Sequence, residues 1–299
     1  MGGFFISKNR KVIMSLTVER VLTDHMIAPE RRDLFMGMQQ RGVEKFNPHF
    51  AHHADVQLVK DPETGLLMIK KFFGQRKRIP YSVAEGLVED YAVHEQRLKQ
   101  MGVLTASNYG LDLQRRDDAG VISVKQLFFP QGTLMEWFGA DVSSEDKKQA
   151  VAATVKDTLV PVVDFDHPSI TKDQSWVFSD SAPKNVAPLK MEDEVRAYYF
   201  DLFVPRVRNA NGTVKVYEGV NLHKRSEDEM QNRFFTKKGA VNNFLHKMVD
   251  SLGADHSELE IFFAVVGCEM RPFLDKLFPG LTPQEIAGLN FTLRNKDGR

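Results

Sequence analysis

The chain has 299 residues, 42% hydrophobic and 27% charged, proportions of a globular protein that exclude disordered and fibrous classes. Forty basic side chains balance forty acidic ones, so no global field marks a nucleic-acid or anionic-membrane partner. The single cysteine, Cys268, excludes a disulfide framework and a Cys-based zinc site.

No apolar run reaches the roughly 18 residues of a membrane span. The start MGGFFIS carries serine at position 7 rather than 6 and no apolar signal core follows. The expectation is a cytoplasmic protein.

Residues 14 to 45 read as a polar-rich helix with Val18, Val21, Leu22, Leu34, Met36 and Met38 at helical spacing. Asp55 to Lys60 alternates, Asp61 to Gly65 supplies turn chemistry, and Leu66 to Phe73 returns as an apolar strand. Ser82-x-x-Glu85 forms a capping box for a helix running to about Met101 and stopping at Gly102. A second hairpin joins Tyr109 to Arg116 with Val121 to Phe129 through the turn Asp117 to Gly120.

Pro130-Gln131-Gly132 breaks that strand, and the texture changes. Ser143 and Ser144 open a long helix to about Val163, and Ser226 to the end is mostly helical, with a further start at Thr282-Pro283. The sequence therefore predicts an N-terminal helical extension (1–45), a β-rich lobe with one helix (46–130) and a larger helical lobe (131–299). Two lobes predict a ligand cleft between them.

The segment Trp176 to Val186 is a polar loop between apolar flanks, and it displays Asp180 and Asn185 five positions apart. An apolar strand, Val195 to Phe200, then ends at Asp201. Upstream, Leu66-Leu67-Met68-Ile69 leads into Lys70 and Lys71, of which strand alternation turns only one inward; the apolar lead-in favours Lys70. On the following helix Glu95 shares a face with Tyr91 and Leu98, whereas Glu85 and Glu89 lie elsewhere. A carboxylate on that apolar side needs a partner.

This series resembles the protein-kinase-like superfamily, whose catalytic loop reads D-x-x-x-x-N and whose metal-binding Asp ends the next hairpin. Asp180-Ser-Ala-Pro183-Lys-Asn185 is similar to the D-x-x-P-x-N setting of small-molecule phosphotransferases of the aminoglycoside and choline kinase type. The resemblance covers residues 55 to 203 and implies an α+β, bilobal fold. It implies that Lys70, held by Glu95, pairs with ATP phosphates, that the backbone around Phe128 and Phe129 edges the adenine, and that Asn185 and Asp201 bind Mg²⁺. Asp180 would then receive the proton of a small-molecule hydroxyl.

The sequence departs from the pattern in several places. Phe50 to Val59 contains no glycine, Ser179 precedes Asp180 without a His-Arg pair, and no glycine follows Asp201-Leu202. These departures keep open a kinase-like protein that binds a nucleotide or partner without transferring phosphate. Protein-kinase activity is a third reading, set against the N-G hairpin expected across 204–217, where an activation loop would lie. His49, His52 and His53 read as a solvated loop, Arg76-Lys77-Arg78 likewise, and Cys268, Phe262, Phe263 and Val266 as core.

Overall fold

The computed structural model describes residues 31–282 apart from 51–54, 63, 75–77, 106–107, 140, 167–181, 203–206, 218–234, 253–255 and 281. Asp180, the histidines at 52 and 53, Arg76-Lys77 and the helix start at Pro283 lie outside the described residues. The chain is mixed α and β. It divides into two compact units, one drawn from within Met1–Val93, Ala106–Pro130 and Val216–His223, the other from within His94–Thr105, Gln131–Lys215 and Lys224–Arg299. No helix among the described residues is long and apolar enough to cross a membrane.

The first unit begins with α1 (Arg32–Phe50), which starts inside the helix expected over 14–45 and runs beyond it through Pro48. A proline removes one backbone bond without necessarily ending a helix. Phe35, Gln39 and Gly42, spaced i, i+4, i+7, form its buried face. Phe35 meets Phe129 edge to face at 6.3 Å. At Gly42 a Cβ would stand 2.6 Å from the Pro130 Cβ and 2.9 Å from its carbonyl oxygen, so only glycine allows this approach.

The sheet contains β1 (Val56–Lys60), β2 (Leu67–Phe73), the short β3 (Ile79–Pro80), β4 (Asn108–Arg116) and β5 (Ala119–Leu127). Its pairing is antiparallel in the order β1-β2-β5-β3, with β4 also on β5. The first hairpin is the expected one: the Asp61 carboxylate accepts from the Thr64 amide at 3.0 Å, and Gly65 takes φ 73°. The second turn is tighter than expected. Asp117 at φ 56° and Asp118 suffice, so Ala119 and Gly120 join the strand.

The helix α2 (Tyr81–Gln100) corrects the capping-box expectation, because Ser82 lies within its first turn. The Tyr81 amide instead donates to the Asp118 carbonyl at 2.9 Å, which satisfies a helix-end donor from the neighbouring turn. Its end is as expected. Gly102 (φ 79°) donates to Lys99 O and Val103 to Leu98 O, both at 3.0 Å, a Schellman closure.

The second unit packs helices on a two-stranded sheet. Its elements among the described residues include α3 (Leu134–Gly139), α4 (Ser144–Thr154), a π-helical turn (Val155–Leu159), α5 (Val160–Asp164), β6 (Val186–Met191), β7 (Glu194–Tyr199), α6 (Lys237–Leu252), α7 (His256–Met270) and α8 (Leu274–Leu277). Ser143 caps α4 by accepting from the Asp146 amide at 3.1 Å. The long helix expected to Val163 is present, interrupted by the π-turn. There the Asp157 carboxylate accepts from the Ala197 amide at 2.9 Å and from Arg196 Nε at 3.1 Å. Burial pushes that carboxyl up, against the pull of these two donors.

Cys268 is exposed, contrary to the core expectation. The run Ile261 to Cys268 is apolar throughout, but α7 buries only one stripe, Phe262, Val266 and Met270, at four-residue spacing. Cys268 falls off that stripe, and Phe263 lies at its margin, half-buried.

Candidate functional site

Asn185 and Asp201 are brought to one end of the β6–β7 hairpin. The register pairs Val186 with Tyr199, and the ladder continues one step, the Phe200 amide donating to Asn185 O at 2.9 Å. A 3₁₀ turn, Pro183–Asn185, leads in: proline presets the first φ, and the Asn185 amide closes the turn on Ala182 O at 2.8 Å. Asn185 is 3% exposed. Asp201, half-buried, takes φ 62°, a left-handed conformation that Asp tolerates better than most side chains yet at a cost. Strained backbone of this kind clusters at functional sites.

An amide oxygen and a carboxylate are hard oxygen donors. Mg²⁺ is commonly held by one or two such protein groups with substrate phosphates completing the shell, so this donor pair fits that ion. Among the described residues no group of three or more His, Cys, Asp and Glu could hold a metal.

In the first unit the structure changes the choice of lysine. A Cβ at Gly120 would lie 2.4 Å from the Ala84 Cβ, so the even-numbered side of β5 faces α2. Register then carries that face across the sheet, Ile122 to Phe73, Val124 to Lys71 and Gln126 to Ile69. Lys71 therefore stands on the helix side. Lys70 stands on the opposite face, directly across from Lys125 and 4.9 Å over the Phe72 ring. Sequence alternation showed that only one lysine could face inward; which one depended on where α2 packs. Lys125 was missed because a lysine in an apolar strand carries no signal until its cross-strand neighbour is known.

The Phe128 backbone is engaged within the unit. Its N–H donates to Leu67 O at 3.0 Å, and its C=O accepts from Gln39 Nε2 at 2.7 Å. Gln39, 1% exposed, also accepts from the Leu67 amide at 2.9 Å. These bonds tie the Phe128 amide and carbonyl to β2 and α1 inside the unit. The Phe129 side chain is buried against Phe35.

On α2, Glu95 is 5% exposed, whereas Glu85 and Glu89 are exposed. Glu95 lies 3.9 Å from Lys99, one turn on. Beside it His94 is 3% exposed, and its imidazole is held well below the usual value of 6.5, first by burial and then by the charge of Arg97. Folded His94 thus stays neutral where the unfolded chain binds a proton. Its contribution is present above 6.5 and is lost as pH falls below that value, by about 1.4 kcal/mol per pH unit. Stability to urea should therefore drop between about pH 7 and about pH 5.5, and His94→Gln should flatten the dependence. An unchanged slope in the variant would assign the acid sensitivity elsewhere.

No family model matches the sequence, and no curated protein matches it. Among solved structures, one described as "WaaP in complex with acyl carrier protein" is similar at 12% identity and a TM-score of 0.40. The similarity covers 87% of this chain and 96% of that one.

Proposed function

We propose that the chain is an ATP-dependent phosphotransferase that moves the γ-phosphate to a hydroxyl of a small molecule. The observation that carries this reading is the hairpin end at Asn185 and Asp201. There an amide-bearing and a carboxylate-bearing residue lie within one step of each other across the hairpin end, and the carboxylate sits on a left-handed residue two positions after the strand.

In this reading Asn185 and Asp201 hold Mg²⁺, which neutralises phosphate charge. Lys71, rather than Lys70, is the β2 lysine assigned to the nucleotide phosphates, because it shares the face that carries α2. Asp180, by its resemblance to the D-x-x-P-x-N loop, receives the acceptor proton. Positioning and charge supply most of the rate in such chemistry, and little covalent participation is required. The base is not assigned to Phe128, whose backbone groups are engaged. The second reading, kept open by the absent His-Arg pair before Asp180 and the absent glycine after Asp201-Leu202, is a kinase-like protein that binds a nucleotide or partner without transfer. Against a protein kinase stands the bridge Arg208↔Val214, closed by Asn209 and Gly212.

The test is thermal denaturation with and without millimolar Mg·ATP, followed by nucleotide consumption over pooled alcohols, amines and sugars. A ligand that binds only the folded state raises the melting temperature by mass action. Asp180→Asn should keep that shift and lose transfer by about 10² to 10⁴-fold, the usual worth of a positioned base. No shift in the parent would remove both nucleotide readings. A shift without turnover of any acceptor would leave the binding protein.

A further inference from the structure

We propose that Arg97 and His94 form a buried site for a phosphate-type oxyanion at the C-terminal end of α2. The two lie three residues apart and so share one face of the helix. Arg97 is 2% exposed, and its Nε and both Nη atoms have no hydrogen-bond partner among the described residues. The same is true of His94 Nε2. Burial pulls the guanidinium down to about 10, so it keeps its charge at neutral pH, while the imidazole beside it is neutral.

Among the described residues one full positive charge is buried with five N–H donors unused and no anion bonded to them, an arrangement that a bound anion would complete. The helix C-terminus offsets such a charge only partly. Glu95, though adjacent and buried, makes no hydrogen bond to the guanidinium. The guanidinium fork matches two coplanar oxygens, as in a carboxylate or one side of a phosphate. The imidazole Nε2 adds a third donor position, and only a tetrahedral oxyanion has a further oxygen for it once the fork is filled. The ligand class is therefore a phosphate, either free or as a monoester. Neither residue has a role in the proposed phosphotransfer, so the site stands apart from it.

The experiment uses the full-length chain without Mg²⁺ or nucleotide, at constant ionic strength. Melting is followed against inorganic phosphate and, separately, glycerol 3-phosphate, with chloride as the control. The expected result is a saturable rise in melting temperature for the parent. A larger rise with glycerol 3-phosphate would identify a monoester site, and an equal or smaller one a site for the free ion. Arg97→Met, similar in length but uncharged, should melt at or above the parent in phosphate-free buffer and show no rise. Arg97→Lys, which keeps the charge but not the fork, should respond at least tenfold more weakly. Asp201→Asn should respond as the parent does, which separates this site from the metal site. Three results would overturn the proposal: no rise in the parent, a rise that survives Arg97→Met, or an Arg97→Met variant melting well below the parent in phosphate-free buffer. The last would show that the chain itself supplies the anion.

Discussion

Asp201→Gly should abolish the Mg·ATP-dependent rise in melting temperature while leaving the apo protein folded. Two effects at one residue separate here. The left-handed backbone at φ 62° costs a side-chain-bearing residue about 1 kcal/mol, and glycine is relieved of it, apart from a larger entropy loss on folding. The carboxylate, if it holds the metal, is lost outright. Asp201→Asn complements this, since asparagine tolerates the same backbone but brings no charge. Phosphoryl transfer, once an acceptor is known, should fall about 10² to 10³-fold in either variant, the worth of one preorganised electrostatic contact. A turn residue with no ligand would behave differently. Asp201→Gly would then gain stability and keep the full nucleotide response, and the metal assignment would fail.

The second large effect is expected at Gly120. Its missing side chain is where α2 meets the sheet, with the Ala84 Cβ 2.4 Å and the Leu113 Cδ1 3.3 Å from where a Cβ would stand. Neither the strand, locked by its ladders to β2 and β4, nor the helix can shift without repacking Leu87 and Tyr91, both buried. Gly120→Ala should cost about 1–3 kcal/mol in urea unfolding, the range for overpacking a well-packed contact. Ala84→Gly should cost about 1 kcal/mol by helix propensity alone. The double variant should be more stable than the sum of the two predicts, because the clash is removed, and this coupling is the informative quantity. If Gly120→Ala is neutral, α2 does not press on this face, and the assignment of Lys71 over Lys70 loses its basis.

Much of the fold was legible wherever local chemistry decides structure. The Asp61–Gly65 turn, the Gly102 stop and the Ser143 cap each rest on a few adjacent residues, and each is found in place. What was not legible depends on partners distant in sequence. Ser82 with Glu85 satisfies a capping pattern, yet the helix start is set by Asp118, whose carbonyl receives the Tyr81 amide. Cys268 sits in an apolar run whose buried stripe emerges only from the packing of α7. The candidate site divides the same way. Asn185 and Asp201 were readable as a loop residue and a strand end, whereas the occupied Phe128 backbone depends on Gln39, eighty-nine positions away. Arg97 carried no signal at all, since an arginine near a helix C-terminus is ordinarily a solvated one.

The β6–β7 hairpin has a further consequence, for association between chains. A two-stranded ribbon exposes two rows of unpaired backbone groups, the usual template on which another copy adds a strand. Here each row is partly spent. On the β6 side the Gln131 carboxamide accepts from the Lys190 amide at 2.7 Å and donates to its carbonyl at 2.8 Å, and Pro188 has no N–H to offer. On the β7 side the Ala197 amide goes to Asp157 and the Tyr199 amide to Leu104 O at 2.8 Å. Two side chains, Gln131 and Asp157, and one stretch of backbone at Leu104 thus cover part of what extra strands cover in a larger sheet. The end at Asn185 and Asp201 is thus carried on a ribbon whose edges offer a second chain fewer free groups at Lys190, Ala197 and Tyr199.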